Sequence, residues 1–209
     1  MLILTFSSVV IDDLITQHGE ENVAYIYCDY RDQTNQTMVN ILGSLLRQLL
    51  ATAPFVPEAI TTLLESRQKK DQRVEVGDIS QMLKILLPQL RCSFICLDAL
   101  DELEPRTRLA LLSALRTEFG TVRLFITGRP HVQPEVDTTL QTQLEAMHLT
   151  ADKGDIRGYL THEIEQDKKI NPGDMNDELQ EEILEEITSK ADGMYAISFY
   201  VLSQSVRGL

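Results

Sequence analysis

Phe94-Ile-Cys-Leu-Asp-Ala-Leu-Asp-Glu102 is an apolar run that ends in three acids, Asp98, Asp101 and Glu102. Consecutive apolar residues bounded by charge are typical of a strand buried on both faces of a parallel sheet, because such a strand has no polar face. The acids then lie at the carboxyl end of that strand. Ligands bind at this edge of open α/β sheets, and a carboxylate there can hold a magnesium ion that carries nucleotide phosphates. A buried strand that runs into an acidic loop is the simpler interpretation of the same pattern.

Composition limits the class of protein. A chain of 209 residues suffices for one α/β domain and a small helical addition. The formal net charge is −13, and the basic residues are scattered, which argues against a nucleic-acid partner because phosphate binding relies on clustered Lys and Arg. No apolar stretch approaches the ~18 residues of a membrane span, and no basic segment opens the chain as in a signal peptide. We therefore expect a cytoplasmic globular protein without a membrane partner.

The three cysteines, Cys28, Cys92 and Cys96, are odd in number and lack CxxC spacing. Such a set predicts free, buried thiols rather than a metal site or a disulfide.

Strands and helices alternate along most of the chain. Strands are predicted at 23–28, 94–98 and 122–127, with a weaker one at 144–149. Helices are predicted at 2–18, 35–51, 57–68, 78–90, 105–119, 153–167, 176–190 and 193–206. This order predicts right-handed βαβ units and a mostly parallel sheet that ends near residue 150. We expect an α/β core over residues 1–150 and a helical subdomain over residues 151–209.

Local signals refine this outline. Asp78 is predicted to cap the helix 78–90. The helix that begins at Pro105 is expected to bury Leu109, Leu112 and Leu115. Gly128-Arg129-Pro130 ends the third strand, so Arg129 is expected at the same edge of the sheet as the acids.

Six segments carry a resemblance to a known family when they are taken in order. They are Asp29-Tyr-Arg-Asp-Gln33, Leu45-Leu-Arg-Gln-Leu49, Phe94–Glu102, Leu124-Phe-Ile-Thr-Gly-Arg-Pro130, Asp155-Ile-Arg-Gly-Tyr-Leu160 and Ala191-Asp-Gly-Met194. Together they resemble the NACHT domain in the form common in fungal NOD-like and ankyrin-repeat proteins, over nearly the whole chain. Most weight rests on the acidic segment, which has the form of a Walker B element, and on the Thr-Gly-Arg-Pro segment about thirty residues later.

The resemblance implies a signalling P-loop NTPase of the STAND class, in which ATP or GTP bound with magnesium controls oligomerisation. It implies that Asp98 holds magnesium through water, that Asp101 or Glu102 orients or activates the attacking water, and that Arg129 contacts the γ-phosphate. These residue types suit the reaction, because phosphoryl transfer is catalysed by positioning and by positive charge near the departing phosphate. The implied partners are other protein domains and copies of the chain itself.

One feature of the family is missing. A strand and a GxxxxGK[ST] loop precede the helix that residues 2–14 resemble, and no GxxxxGK[ST] occurs in the 209 residues. That loop supplies N–H groups and a lysine for the phosphates and a hydroxyl for magnesium. We therefore expect an N-terminally truncated module that binds nucleotide poorly, if at all, and has no meaningful turnover. The missing strand would lie between the Thr-Gly-Arg-Pro strand and the last one, so either the last strand moves across or the chain is a fragment.

Two other functions stay open. The chain could be a non-enzymatic interaction domain that kept the surface of the fold and lost its nucleotide. It could also be an unrelated α/β enzyme that uses Asp98, Asp101 and Glu102 as acid and base or as a metal site. We rank that enzyme last, because no GxSxG elbow is present and the histidines show no ligand spacing.

Overall fold

The computed structural model describes residues 2–90, 93–118, 122–141, 145–150, 152–170, 176–190 and 196–202, with side chains for all of these except 2–6, 118, 149–150 and 196–202. Within these ranges the α-helices are α1 Leu2–His18, α2 Met38–Thr52, α3 Glu58–Lys69, α4 Val76–Leu86, α5 Pro105–Glu118, α6 Gln133–Leu140, α7 Lys153–Ile170 and α8 Asp177–Lys190. The strands are β1 Val23–Tyr27, β2 Ser93–Asp98, β3 Val122–Gly128, β4 Glu145–Thr150 and β5 Ala196–Leu202. The chain is therefore an α/β protein.

Three parallel strands form the centre of the sheet. β1 pairs with β2 from Val23 opposite Phe94, and β2 pairs with β3 from Ser93 opposite Val122. The prediction of three adjacent parallel strands is confirmed. All six residues of β2 are buried, as the unbroken apolar run predicts for a strand that is covered on both faces.

The helices between the strands supply the core. α2 places leucines at spacings of three and four on one face, and Thr37 caps it by accepting the Asn40 N–H at 3.4 Å. Buried side chains of α2, α4 and α5 form one apolar cluster with β2. Its members include Leu42, Leu45, Leu49, Leu83, Leu86, Ile95, Leu97, Leu111 and Leu112.

Two local predictions are wrong. Asp78 is not the N-cap of α4, because Glu75 holds that position; Asp78 is the third residue of the helix and contributes to a capping box by accepting the backbone N–H of Glu75 at 2.9 Å. Leu109 is 44% exposed, whereas Arg108 beside it is 7% exposed. The buried face of α5 therefore includes Arg108 instead of Leu109.

The predicted helix at 193–206 is also wrong, because residues 196–202 form strand β5. β5 runs antiparallel to β3, with Leu202 opposite Leu124 and Ser198 opposite Gly128. Its sequence is rich in β-branched and aromatic residues, and the edge of β3 offers backbone groups that need partners. The strand order is β1-β2-β3-β5-β4, so the sheet does not end near residue 150. Residues 193–195 and 203–206 lie outside the described part of the chain.

The chain divides into two compact units, one of residues 1–147 with 198–209 and one of residues 148–197. The first contains the three parallel strands and helices α1 to α6. The second contains α7 and α8, which are joined by an ion pair between Arg157 and Glu181 and by a bond from Lys168 Nζ to Gln180 Oε1 at 2.6 Å. Among the described helices, none combines the length and the hydropathy that a membrane crossing requires.

Candidate functional site

Asp98 is the last residue of β2 and is 2% exposed. Its Oδ1 accepts a hydrogen bond from Thr127 Oγ1 at 2.6 Å and another from Ser7 Oγ. Its Oδ2 is buried and has no hydrogen-bond partner within the described residues. One carboxylate thus joins α1, β2 and β3 through a single oxygen and leaves the other oxygen unused.

A sharp turn follows Asp98. Ala99 adopts the left-handed conformation, with φ 52° and ψ 48°, and its N–H donates to Thr127 Oγ1 at 2.9 Å. This conformation costs a residue with a Cβ about 1–2 kcal/mol, and the hydrogen bond helps to hold it. The hydroxyl of Thr127 therefore connects the ends of β2 and β3 and fixes where the next acids begin.

Asp101 holds the loop that follows β3. Its Oδ1 accepts the backbone N–H of Arg129 at 3.1 Å, and its Oδ2 lies 3.4 Å from Arg129 Nε. The Asp101 side chain is 8% exposed and that of Arg129 is 66% exposed. A Cβ at Gly128 would make an ordinary contact with Asp101 Oδ1 at 3.5 Å and a tight one with Val132 Cγ2 at 3.1 Å. Arg129 is therefore at the carboxyl edge, with Asp98, as predicted.

Glu102 holds the loop that follows β1. Its Oε2 accepts the backbone N–H of Tyr30 at 3.1 Å. Asp29, in the same loop, bonds to Arg31, and this side-chain hydrogen bond holds the pKa of Asp29 below its usual value. Asp101 and Glu102 thus bind the loops on either side of β2, while Asp29 is satisfied locally.

A buried ion pair supports the site and was not predicted. Arg108 of α5 donates to Glu135 of α6 at 2.7 and 2.9 Å and to the carbonyl of Leu103 at 3.1 Å. The hydrogen bonds that Arg108 donates to Glu135 raise the pKa of Arg108. The signal was in the sequence, since Arg108 precedes Leu112 and Leu115 by four and seven residues and so lies on their stripe.

Neither of the two described cysteines offers a reactive thiolate. Cys28 and Cys96 are free and buried; burial raises the pKa of Cys96 to about 12 and that of Cys28 well above its usual range. Cys92 lies outside the described residues. Throughout the described part of the chain there is no group of three or more His, Cys, Asp or Glu side chains placed to hold a metal ion. An ion at Asp98 would therefore need oxygen ligands from water or from a bound molecule.

The acids and Arg129 all fall within residues 4–129, which match a family model described as nephrocystin 3, N-terminal. No curated protein matches the chain, and no solved structure matches it. The matched residues run from α1 through β3 and make up more than half of the sequence. The chain therefore belongs to the nephrocystin 3 N-terminal family.

Proposed function

We propose that this chain is the α/β core of a NACHT-type signalling module, a P-loop NTPase of the STAND class in which bound nucleotide controls oligomerisation. One observation carries the proposal. Asp98 lies at the carboxyl end of a central strand, with Oδ1 held by two hydroxyls and Oδ2 buried without a described partner. Positioning of this kind suits a carboxylate that faces a metal-bound water.

The donor chemistry at Asp98 fits magnesium. Burying a carboxylate oxygen without a hydrogen bond is unfavourable, and a metal-bound water would satisfy it. Magnesium prefers oxygen ligands and keeps several of its waters, so a single carboxylate is an adequate protein contribution when phosphates supply the rest. When bound, the ion would supply positive charge near the phosphates. Ser7 and Thr127 would keep Asp98 oriented toward it.

The other acids divide the remaining roles. Both oxygens of Asp101 face Arg129, so Asp101 is assigned to holding that arginine. Glu102 uses Oε2 for the Tyr30 N–H, and we assign it the orientation of the attacking water. The guanidinium of Arg129 is largely exposed, so it can exchange the carboxylate of Asp101 for a γ-phosphate at small cost.

A second function, a protein-interaction domain derived from such an NTPase, has its own support. The 209 residues contain no GxxxxGK[ST]. In the structure, β5 pairs directly with β3. In the NACHT arrangement the strand before the phosphate loop would lie beside β3. On either proposal the chain as given binds nucleotide triphosphate weakly or not at all and turns over none.

Calorimetry with ATP and with GTP, each with magnesium, tests the proposal. We expect no micromolar binding by the chain itself and recovered binding when a strand and a GxxxxGK[ST] loop are added ahead of Leu2. In the extended protein, Asp98→Asn should impair turnover. Asp29→Asn is the matched control, because Asp29 lies just beyond the carboxyl end of the neighbouring strand but is paired with Arg31, and it should change little.

Three results would separate the alternatives. Micromolar binding by the unextended chain would place the phosphate site elsewhere. A folded extended protein that binds neither nucleotide would favour the interaction domain. Equal losses of turnover from the Asp98→Asn and Asp29→Asn substitutions would show that Asp98 does not hold the metal ion.

A further inference from the structure

β1 is an edge strand of the sheet, with β2 on one side. Cys28, just beyond its end, donates its N–H to the carbonyl of Asp98 in β2 at 3.0 Å. Because backbone groups alternate along a strand, Ala24 and Ile26 also face β2, and Val23, Tyr25 and Tyr27 face away. The sequence Val-Ala-Tyr-Ile-Tyr carries no charge and no proline. Such an edge pairs readily with another strand unless something covers it.

The side chain of Gln48 covers the middle of this edge. Its Oε1 accepts the N–H of Tyr25 at 3.0 Å, and its Nε2 donates to the carbonyl of Tyr25 at 2.9 Å. The amide of Gln48 therefore makes both hydrogen bonds that a neighbouring strand would make to Tyr25. Nε2 also donates to Ser44 Oγ at 3.2 Å, which fixes the amide on the surface of α2.

A backbone hydrogen bond, rather than a side chain, closes the start of the same edge. The N–H of Val23 donates to the carbonyl of Glu20 in the short turn before β1. Tyr27, which faces the same way, is exposed. The middle of the edge depends on one side chain, and that side chain belongs to the Leu-Leu-Arg-Gln-Leu segment, to which no site role was assigned.

We propose that Gln48 closes β1 against strand addition, and that without it β1 pairs antiparallel with β1 of a second copy of the chain. A second copy is the occupant because a two-fold axis at Tyr25 makes the contact self-complementary and closed. Each copy offers the same N–H and carbonyl, and the five residues of β1 carry no charge, so like charges meet only beyond the strand, where Glu21 of one copy lies opposite Asp29 of the other. The Tyr25 and Tyr27 rings, 5.5 Å apart and edge-to-face, add aromatic surface beside the axis.

Sedimentation over a range of concentrations tests the proposal on the full chain. Gln48→Ala should strengthen self-association about tenfold or more, because the two hydrogen bonds of each Gln48 amide to Tyr25 no longer compete and a net hydrogen bond is worth up to about a factor of ten. Ser44→Ala removes a contact of Gln48 but leaves both bonds to Tyr25, so it should stay as monomeric as the parent protein. Gln48→Lys loses the acceptor but places a charge on each side of the axis, so it should also stay monomeric.

The proposal would be overturned if the Gln48→Ala protein were monomeric, or if the Gln48→Ala and Gln48→Lys proteins each dimerised to the same extent. Amide hydrogen exchange gives a second measurement that does not depend on a variant folding. In the parent protein the Tyr25 amide should exchange more slowly than the Tyr27 amide, although both face away from β2. Equal exchange at the two positions would show that Gln48 does not hold the edge.

Discussion

Asp98 and the Asp101–Glu102 pair are separated by a single turn, yet they are held in opposite ways. Asp98 is enclosed by α1, β2 and β3 and accepts only from hydroxyls within the described contacts, whereas the later acids accept backbone N–H groups of neighbouring loops. The last residue of a buried strand lies within the layers of the fold, and the residues of the following turn reach sideways across the sheet edge. Position relative to the strand end, rather than residue type, therefore separates a carboxylate enclosed by hydroxyl donors from carboxylates that hold loops.

The largest expected effect contrasts Asp98 with its neighbour in the same strand. Leu97→Asp should destabilise the fold by more than ~3 kcal/mol, because it buries an unpaired charge in a central strand. Asp98→Asn should cost under about 1 kcal/mol, since the amide oxygen can still accept from Ser7 and Thr127. Urea titration of both variants measures this. A larger loss of stability for Asp98→Asn than for Leu97→Asp would show that Asp98 has a structural role.

The second effect concerns the support beneath the loop-holding acids. Arg108→Ala should cost about 2–3 kcal/mol, because it leaves Glu135 partly buried without its partner. Arg108→Lys keeps the charge but cannot make both bonds to Glu135, so it should fall between the alanine variant and the parent. Thermal and urea unfolding of the three proteins gives the order. If the lysine variant matched the parent, the two-pronged contact would contribute nothing.

A smaller effect is expected at Asp101. Asp101→Ala should cost about 1 kcal/mol, because it leaves the exposed backbone N–H and the exposed guanidinium of Arg129 without their carboxylate partner. Asp101→Asn keeps an acceptor for the Arg129 N–H and should recover about half of that loss. Chemical shifts of the Arg129 amide should move in the alanine variant and much less in the asparagine variant. Unchanged shifts in both would show that Asp101 does not hold this loop.

The smallest effect uses Asp78, a carboxylate far along the chain from the edge acids, as a reference. The backbone N–H of Glu75 and then the side chain of Arg67 hold its pKa below the usual value. Its contribution to stability is therefore complete above the unfolded pKa of about 4 and is lost as the pH falls through the lower folded pKa. The stability difference between the parent and Asp78→Asn should stay constant from neutral pH to about 5 and shrink below 4. A difference that grows on acidification would reverse the assigned direction.

Local pattern was sufficient for much of the fold and for part of the site. The apolar runs that became β1, β2 and β3, the Pro105 helix start and the placement of Arg129 all follow from side-chain periodicity and turn residues. Because parallel strands align their carboxyl ends, those signals also predicted that Asp98 and Arg129 share an edge.

The sequence by itself determined which acids and which arginine reach the carboxyl edge, because strand ends and turns depend on residues that are close together in the sequence. Only the tertiary structure decided what each of them touches. Ser7 and Thr127 lie 91 and 29 residues from Asp98, and Gln48 lies 23 residues from Tyr25, so no local pattern pairs them. Residues 196–202 form a strand for the same reason: a short apolar run suits either helix or strand, and the open edge of β3 selects the strand.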